Sequence, residues 1–340
     1  METESHRPTT TRKEEGSELV LRIREMVAAG DPLSELDLKG APLANAELNG
    51  LDFSGVDLAG ADLAGASLFK ANLRGANLAG ANLEEAEMTG ADLSEANLPN
   101  ARAARVGLGM ASLKGANIFR ADLRGATLTK ADLARADLRC AHLDNARIRE
   151  ADLQDADCTE SSFRSADLSL CDVRGASFAN ADLRDTRLRA MKEFQKAKWN
   201  GVDIRDVNFA GAYLLRRFVM DQNYLTEFQE RGRFSRLVYY FWLITSDCGR
   251  SLFRWCMWIV AMAMLFAYLY TLVDVEYGPN PTSFSPLYFS VVTLTTLGYG
   301  DNFPLSTPAQ VIAVLEVFTG YIMLGGLLSI FSNKIARRGE

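Results

Sequence analysis

Histidine is almost missing from this chain, and its cysteines are poorly placed for chemistry. His6 and His142 stand far apart, and Cys140, Cys158, Cys171, Cys248 and Cys256 form no CxxC pair. That spacing supports neither a zinc site nor a disulfide framework, and predicts reduced, partly buried thiols. No nucleophile stands with a base and an oxyanion-stabilising group, and no glycine loop is built to cradle phosphate. We therefore expect no enzyme and no cofactor. Residues 1–12 are polar and lack the apolar core of a secretory signal, so they read as a disordered tail, and the bulk of the chain is expected to stay on the cytoplasmic side. A net charge of -6 and a pI near 5.3 argue against a nucleic-acid partner. No segment carries a regular arginine series, and no nucleotide- or calcium-binding domain is recognisable.

What is present begins with a period of five. From Leu38 to Leu188 every fifth residue is a mid-sized apolar one, Ala103 excepted, and alanine usually stands two positions before it, as in Ala61-Asp62-Leu63-Ala64-Gly65. Apolar residues two apart project to one side of an extended segment, and the glycine-rich pair that follows can turn a corner. The units resemble the pentapeptide-repeat family. That resemblance implies a right-handed quadrilateral β-helix, a solenoid with Ala and Leu inside and four units per coil. The register slips by one residue after Leu188, with centres expected at Phe194, Trp199, Ile204, Phe209 and Leu214. The tower is assigned to residues 36–215, about nine coils stacked at ~4.8 Å. A capping helix is expected within 13–35, between Ser17 as N-cap and Gly30 as stop. The stretch from Pro99 to Met110 is expected to bulge.

Charge along the tower is uneven. Residues 36–100 hold 10 acidic and 3 basic side chains, and residues 101–215 hold 16 and 19. Anionic lipid would attract the later end, helped by 7 basic against 4 acidic residues over 216–255. The rival reading is a solvated face whose arginines pair with neighbouring aspartates.

Leu252 to Val273 is long and apolar enough to be the first membrane crossing, residues 252–273. The aromatic run Phe234 to Thr245, within a 216–250 linker, reads as an interfacial helix, with a third crossing as the rival. Residues 284–295 suit a helix that enters the membrane without crossing it. Thr307 and Pro308 open a second crossing, 307–333, that closes with Lys334, Arg337 and Arg338, which puts both termini in the cytoplasm. Between them lies Thr296-Leu297-Gly298-Tyr299-Gly300-Asp301, the filter candidate at 296–301. Replacing a cation's water needs a row of backbone carbonyls, and carbonyls turn the same way only where alternate residues leave the usual allowed regions, which Gly298 and Gly300 permit.

With Thr293, Thr295 and Thr296 before it and Asp301 after it, this segment resembles the potassium channel family. The resemblance implies K+ as permeant ion at the carbonyls of Thr296, Leu297, Gly298, Tyr299 and Gly300, with Asp301 and Tyr288 as filter support. Leu297 stands where the family more often has valine or isoleucine. Counting from Asp301 places a gating hinge at Gly320, with Gly325 and Gly326 competing, and pore-lining positions at Tyr321, Leu324, Leu328 and Ser332. Glu316 is an intramembrane carboxylate, whose role is either functional or a structural hydrogen bond behind the filter. The combined expectation is a β-helix tower followed by a two-transmembrane-helix pore module (251–340), assembled as a homotetramer in the cell membrane and regulated or anchored by the tower, whose own partner is open. A less selective cation channel, or an interaction scaffold dominated by the tower, is the alternative.

Overall fold

In the computed structural model, which describes residues 9–336 apart from 208, 210, 211, 299 and 301 and the side chains of residues 15–332 among these, every fifth residue from Leu38 to Leu188 is buried. The reason is a corner repeated at each unit. Leu63 accepts from the amide of Ala66 (3.0 Å), and the residue between them at the corner, Gly65, has φ +63°. Every corner residue from Gly40 to Ala190 is left-handed in the same way, which is why glycine is frequent there and why Asn, Asp and Glu occupy half of the rest. Even Leu170 adopts φ +67°, at a cost of about 1–2 kcal/mol that the surrounding coil must offset.

The coils stack through parallel bridges twenty residues apart, from Pro42 with Asp62 to Asp172 with Lys192. Four five-residue units therefore make one turn. Bonds such as Leu63 N to Asn82 O (2.7 Å) and Asp62 N to Ala41 O (2.9 Å) satisfy the backbone on both sides of each coil. Outside, asparagine amides climb the same ladder, with Asn82 donating to Asp62 (2.9 Å) and Asn117 to Asn97 (2.8 Å). The stretch from Pro99 to Met110 does not bulge. Arg102 and Gly107 keep their bridges and Ala103 is buried, and its small side chain leaves only an apolar void of about 10 Å³ beside Leu83, Leu98 and Leu123.

The later coils pair their arginines locally. Arg124 with Asp122, Arg139 with Asp137, Arg184 with Asp182 and Arg205 with Asp203 are ion pairs two residues apart at 2.6–2.7 Å. The Arg184 guanidinium, helped by Arg164, holds the Asp182 carboxyl well below the ordinary carboxylate range. Much of the positive charge is thus spent within the tower's own surface, as the rival reading expected. Cys158 and Cys171 are buried, and desolvation pushes both thiols up, which leaves them unreactive.

Helices close both ends of the stack. Helix α1 (Thr9–Ala29) begins earlier than Ser17, which lies inside it, so residues 9–12 are helical and residues 1–8 lie outside the described ones. Gly30 ends it with φ +82°. Ile23 is buried against the tower core, and a Cβ on Gly16 would stand 2.4 Å from the Pro42 carbonyl oxygen, so the helix lies close on the first coil. At the far end the register slip appears as one inserted residue. Bridges lengthen to Ser177 with Lys198 and Asp182 with Asp203, and Glu193 turns left-handed before a 3-10 turn at Phe194–Lys196.

Phe194 is only partly buried, and its ring meets Phe218 edge-on at 5.9 Å. Trp199 is the inward residue, stacked on Phe178 at 4.6 Å. Leu214 is not an inward centre. It is 65% exposed, because helix α2 (Tyr213–Glu230) has already begun. That helix buries Leu215 and Val219, and its Gln222 and Asn223 accept from the amides of Trp199 and Gly201, each at 2.9 Å.

The chain divides into two compact units after Thr226. The second unit holds α3 (Arg233–Ser246), α4 (Leu252–Tyr270), a two-residue strand β1 (Val275–Glu276), α5 (Ser285–Leu294), β2 (Phe303–Pro304) and α6 (Thr307–Ala336). The strands pair antiparallel, Val275 opposite Pro304. Leu252–Tyr270 and Thr307–Ser332 are long and apolar enough to cross a membrane, and α5 is a shorter apolar helix. Ser251 caps α4 by accepting from the Arg254 amide (3.2 Å), and α3 turns an apolar stripe of Phe234, Leu237, Phe241 and Ile244 outward.

Candidate functional site

Two apolar helices lean on one another through α6. The indole N–H of Trp255 on α4 donates to the Met323 carbonyl (2.8 Å), and a Cβ on Gly326 would stand 2.2 Å from the same ring. Helix α5 packs between them, its Phe289 tilted on Tyr270 at 4.7 Å. Glycine at 326 is therefore the condition for the indole to reach a helix backbone.

Glu316 is fully buried where α4, α5 and α6 meet. The Tyr270 hydroxyl donates to its Oε2 (2.6 Å), and Ser290 Oγ contacts its Oε1 while lying 2.9 Å from the Ala263 carbonyl oxygen. Ser290 and Tyr270 escaped the reading of sequence. A carboxylate on an apolar helix requires donors from its neighbours, and the few hydroxyls on the facing apolar helices were the available signal. One turn further along both helices, Gly320 passes Leu294 so closely that a Cβ on it would stand 2.0 Å from the Leu294 carbonyl oxygen.

Leu294 ends α5, and the filter candidate starts two residues later. Thr296 has φ +60°, Gly298 φ +51° and Gly300 φ +77°, so the left-handed conformation recurs at every second residue. In a β-branched residue such as Thr296 that conformation is an outlier. Among the described residues a methyl group at Gly298 or Gly300 would meet no atom beyond its chain neighbours, so backbone conformation is what calls for glycine there. Leu297 is exposed, whereas Tyr299 and Asp301 lie outside the described residues. Tyr288 is half-buried on α5.

Tyr321, Leu324, Leu328 and Ser332 are all exposed along α6. Gly320, by contrast, faces α5. Of the three glycines weighed as a hinge, Gly320 and Gly326 have packing reasons to lack a side chain, and only Gly325 has open space at its Cβ position. Among the described residues no group of three or more His, Cys, Asp and Glu is gathered to hold a metal ion.

Residues 37–189 carry eight copies matching the Pentapeptide repeats family, with a gap over 103–115, and residues 253–337 match the Ion channel family. Over 97 residues the chain is 32% identical to Two-pore potassium channel 1 of Arabidopsis thaliana, and over 72 residues 35% identical to the Calcium-gated potassium channel TvoK of Thermoplasma volcanium. Those alignments cover 28% and 20% of this chain, and the chain spans only 27% and 21% of the two relatives. Among solved structures, full-length QnrB1, a plasmid-mediated fluoroquinolone resistance protein, is 23% identical over 51% of this chain and 87% of its own, with a TM-score of 0.34. HetL, a pentapeptide repeat protein from Nostoc, is 28% identical over 56% and 94%, with a TM-score of 0.24.

Proposed function

We propose that this chain, which joins a pentapeptide-repeat domain to a potassium-channel pore domain, is one quarter of a K+-selective channel whose tower regulates or anchors the pore. The observation that carries the reading is the alternation of left-handed residues at Thr296, Gly298 and Gly300, directly after a short apolar helix and between two helices long enough to span a bilayer. Such an alternation lets successive carbonyls face one axis, and four copies of the strand make the ring of oxygens that replaces a cation's hydration shell. To Tyr299 we assign a further carbonyl of that ring, and to Asp301 and Tyr288 the support of the filter. Tyr321, Leu324, Leu328 and Ser332 line the path below, where their exposure in the single chain leaves them free to face the axis.

The bend that opens the lower path is assigned to Gly325 in preference to Gly320, because Gly320 already abuts α5. The outward apolar stripe of α3 suits a helix lying in the headgroup region, with the tower and both termini on the cytoplasmic side. The test is the reversal potential of full-length protein in planar bilayers with K+ on one side and Na+ on the other. Selective conduction moves reversal far from zero, by an amount set by the logarithm of the K+/Na+ permeability ratio, and Gly300→Ala abolishes selectivity or current while the oligomer persists. Reversal near zero makes this a less selective cation channel, and no current from intact oligomers defeats the pore assignment.

A further inference from the structure

Three oxygen-to-oxygen contacts form one chain, two of them at Glu316: Tyr270 Oη to Oε2, Oε1 to Ser290 Oγ, and Ser290 Oγ to the Ala263 carbonyl. Each such contact, taken as a two-centre hydrogen bond, needs a proton of its own. Tyr270 brings one, Ser290 brings one and the carbonyl brings none, so two donors face three contacts. The one remaining place for a proton is the carboxyl itself. From this count we infer that Glu316 is held as a neutral carboxylic acid. Its Oε1 hydroxyl donates to Ser290, Ser290 donates to the Ala263 carbonyl, and Tyr270 donates to Oε2.

The surroundings agree with a neutral group. Helix α4 offers Tyr270 and a backbone carbonyl, and α5 offers a hydroxyl. The next phenol, Tyr277, is turned to the Tyr270 carbonyl (3.3 Å), and among the described residues no cation pairs with Glu316. A full negative charge placed in apolar surroundings without a counter-ion is far costlier than an acid with all its bonds made.

This relay makes Glu316 a positioning residue for the filter, an assignment that rests on the channel reading above. Ser290 and Glu316 are 26 residues apart, and the same offset brings Leu294 against Gly320. Helices α5 and α6 are thereby locked in register at two points one turn apart. Ala263 and Tyr270, on one face of α4, tie in the third helix. The filter strand departs from α5 just after the second point, so the register of α5 on α6 sets the height at which the strand begins.

The amide of Glu316→Gln reproduces the neutral acid, donating to Ser290 and accepting from Tyr270, so its K+/Na+ permeability ratio stays within about twofold of wild type. Ser290→Ala breaks two of the three contacts, and an unmet buried polar group lowers the ratio by about tenfold. Tyr270→Phe, which keeps the ring, gives a smaller loss if the serine variant does not assemble. Infrared difference spectra of full-length protein at neutral pH read the proton directly. A protonated-carboxyl C=O band absent from Glu316→Gln and shifted in Tyr270→Phe supports the assignment, and absence of that band in wild type overturns it. Selectivity lost equally in Glu316→Gln and Ser290→Ala also overturns it. A wild-type channel that fails to separate K+ from Na+ defeats the K+-selective reading instead, and the infrared band still decides the proton.

Discussion

Gly320 and Leu294 touch backbone to backbone: a Cβ on Gly320 would sit 2.0 Å from the Leu294 carbonyl oxygen, nearer than any real side chain stands. Gly320→Ala must therefore push α5 away from α6 before it can stiffen anything. The expected result is a less thermally stable oligomer with altered selectivity. Gly325→Ala, whose methyl meets none of the described residues, leaves stability unchanged and lowers open probability. Thermal unfolding and single-channel records of both variants decide this. A stable Gly320→Ala channel with normal selectivity and reduced opening would return the hinge to Gly320.

Leu78 is fully buried in the tower, surrounded by the apolar centres of the coils above and below. Leu78→Arg places a charge where no counter-ion exists, costing several kcal/mol, on the order of 5. Limited proteolysis should then cut within the coils around residue 78, while wild type resists there. Equal resistance would refute the inward assignment.

Asp182 accepts from the Arg184 backbone and side chain and from Arg164. Its carboxyl is held below the ordinary range, so its contribution is complete above pH ~4, where the unfolded carboxylate is also charged, and fades as pH falls through the lowered native value. Asp182→Asn should destabilise the tower by ~1 kcal/mol at pH 7, the modest size expected of a pair near solvent. The gap from wild type should close as the buffer is taken below pH ~4. Denaturation midpoints across that range test it, and a gap independent of pH would mean that geometry, not charge, carries the effect.

Removal of residues 1–212 leaves α2 intact along with every element of the second unit. Oligomers of that shortened chain should still pass K+ in liposome flux assays and should lose regulation. Abolished flux despite intact oligomers would show that the pore depends on the tower, and identical gating would deny the tower a regulatory role.

The tower was legible because each unit repeats the same local decision. A Leu centre, an Ala two before it and a left-handed corner two after it are written every five residues, and no distant contact is needed to read them. Legibility failed where the repeat stops. Leu214 keeps the five-residue spacing, yet the 3.6-residue pattern of Leu215 and Val219 outranks it once α2 supplies a surface to pack on. Phe194 likewise fits the slipped register but lies beside the inserted residue, and Trp199 takes the core. In the membrane half, the crossings follow from length and hydropathy. The meeting of Ser290, Glu316 and Tyr270 does not, because it depends on the register between helices, which no spacing within one helix encodes.

The two end helices carry a consequence for evolution. A stack of identical coils has open hydrogen-bonding edges only at its first and last turns, and here α1 covers one while Gln222 and Asn223 answer the amides of the other. Every interior coil presents the same ladder above and below, so a whole twenty-residue coil can be duplicated or lost between the caps without leaving a polar group unmet. Twenty residues are thus a quantum of inheritance. The tower can grow or shrink across generations in steps of ~4.8 Å, like a telescoping mast, while both of its fittings stay the same.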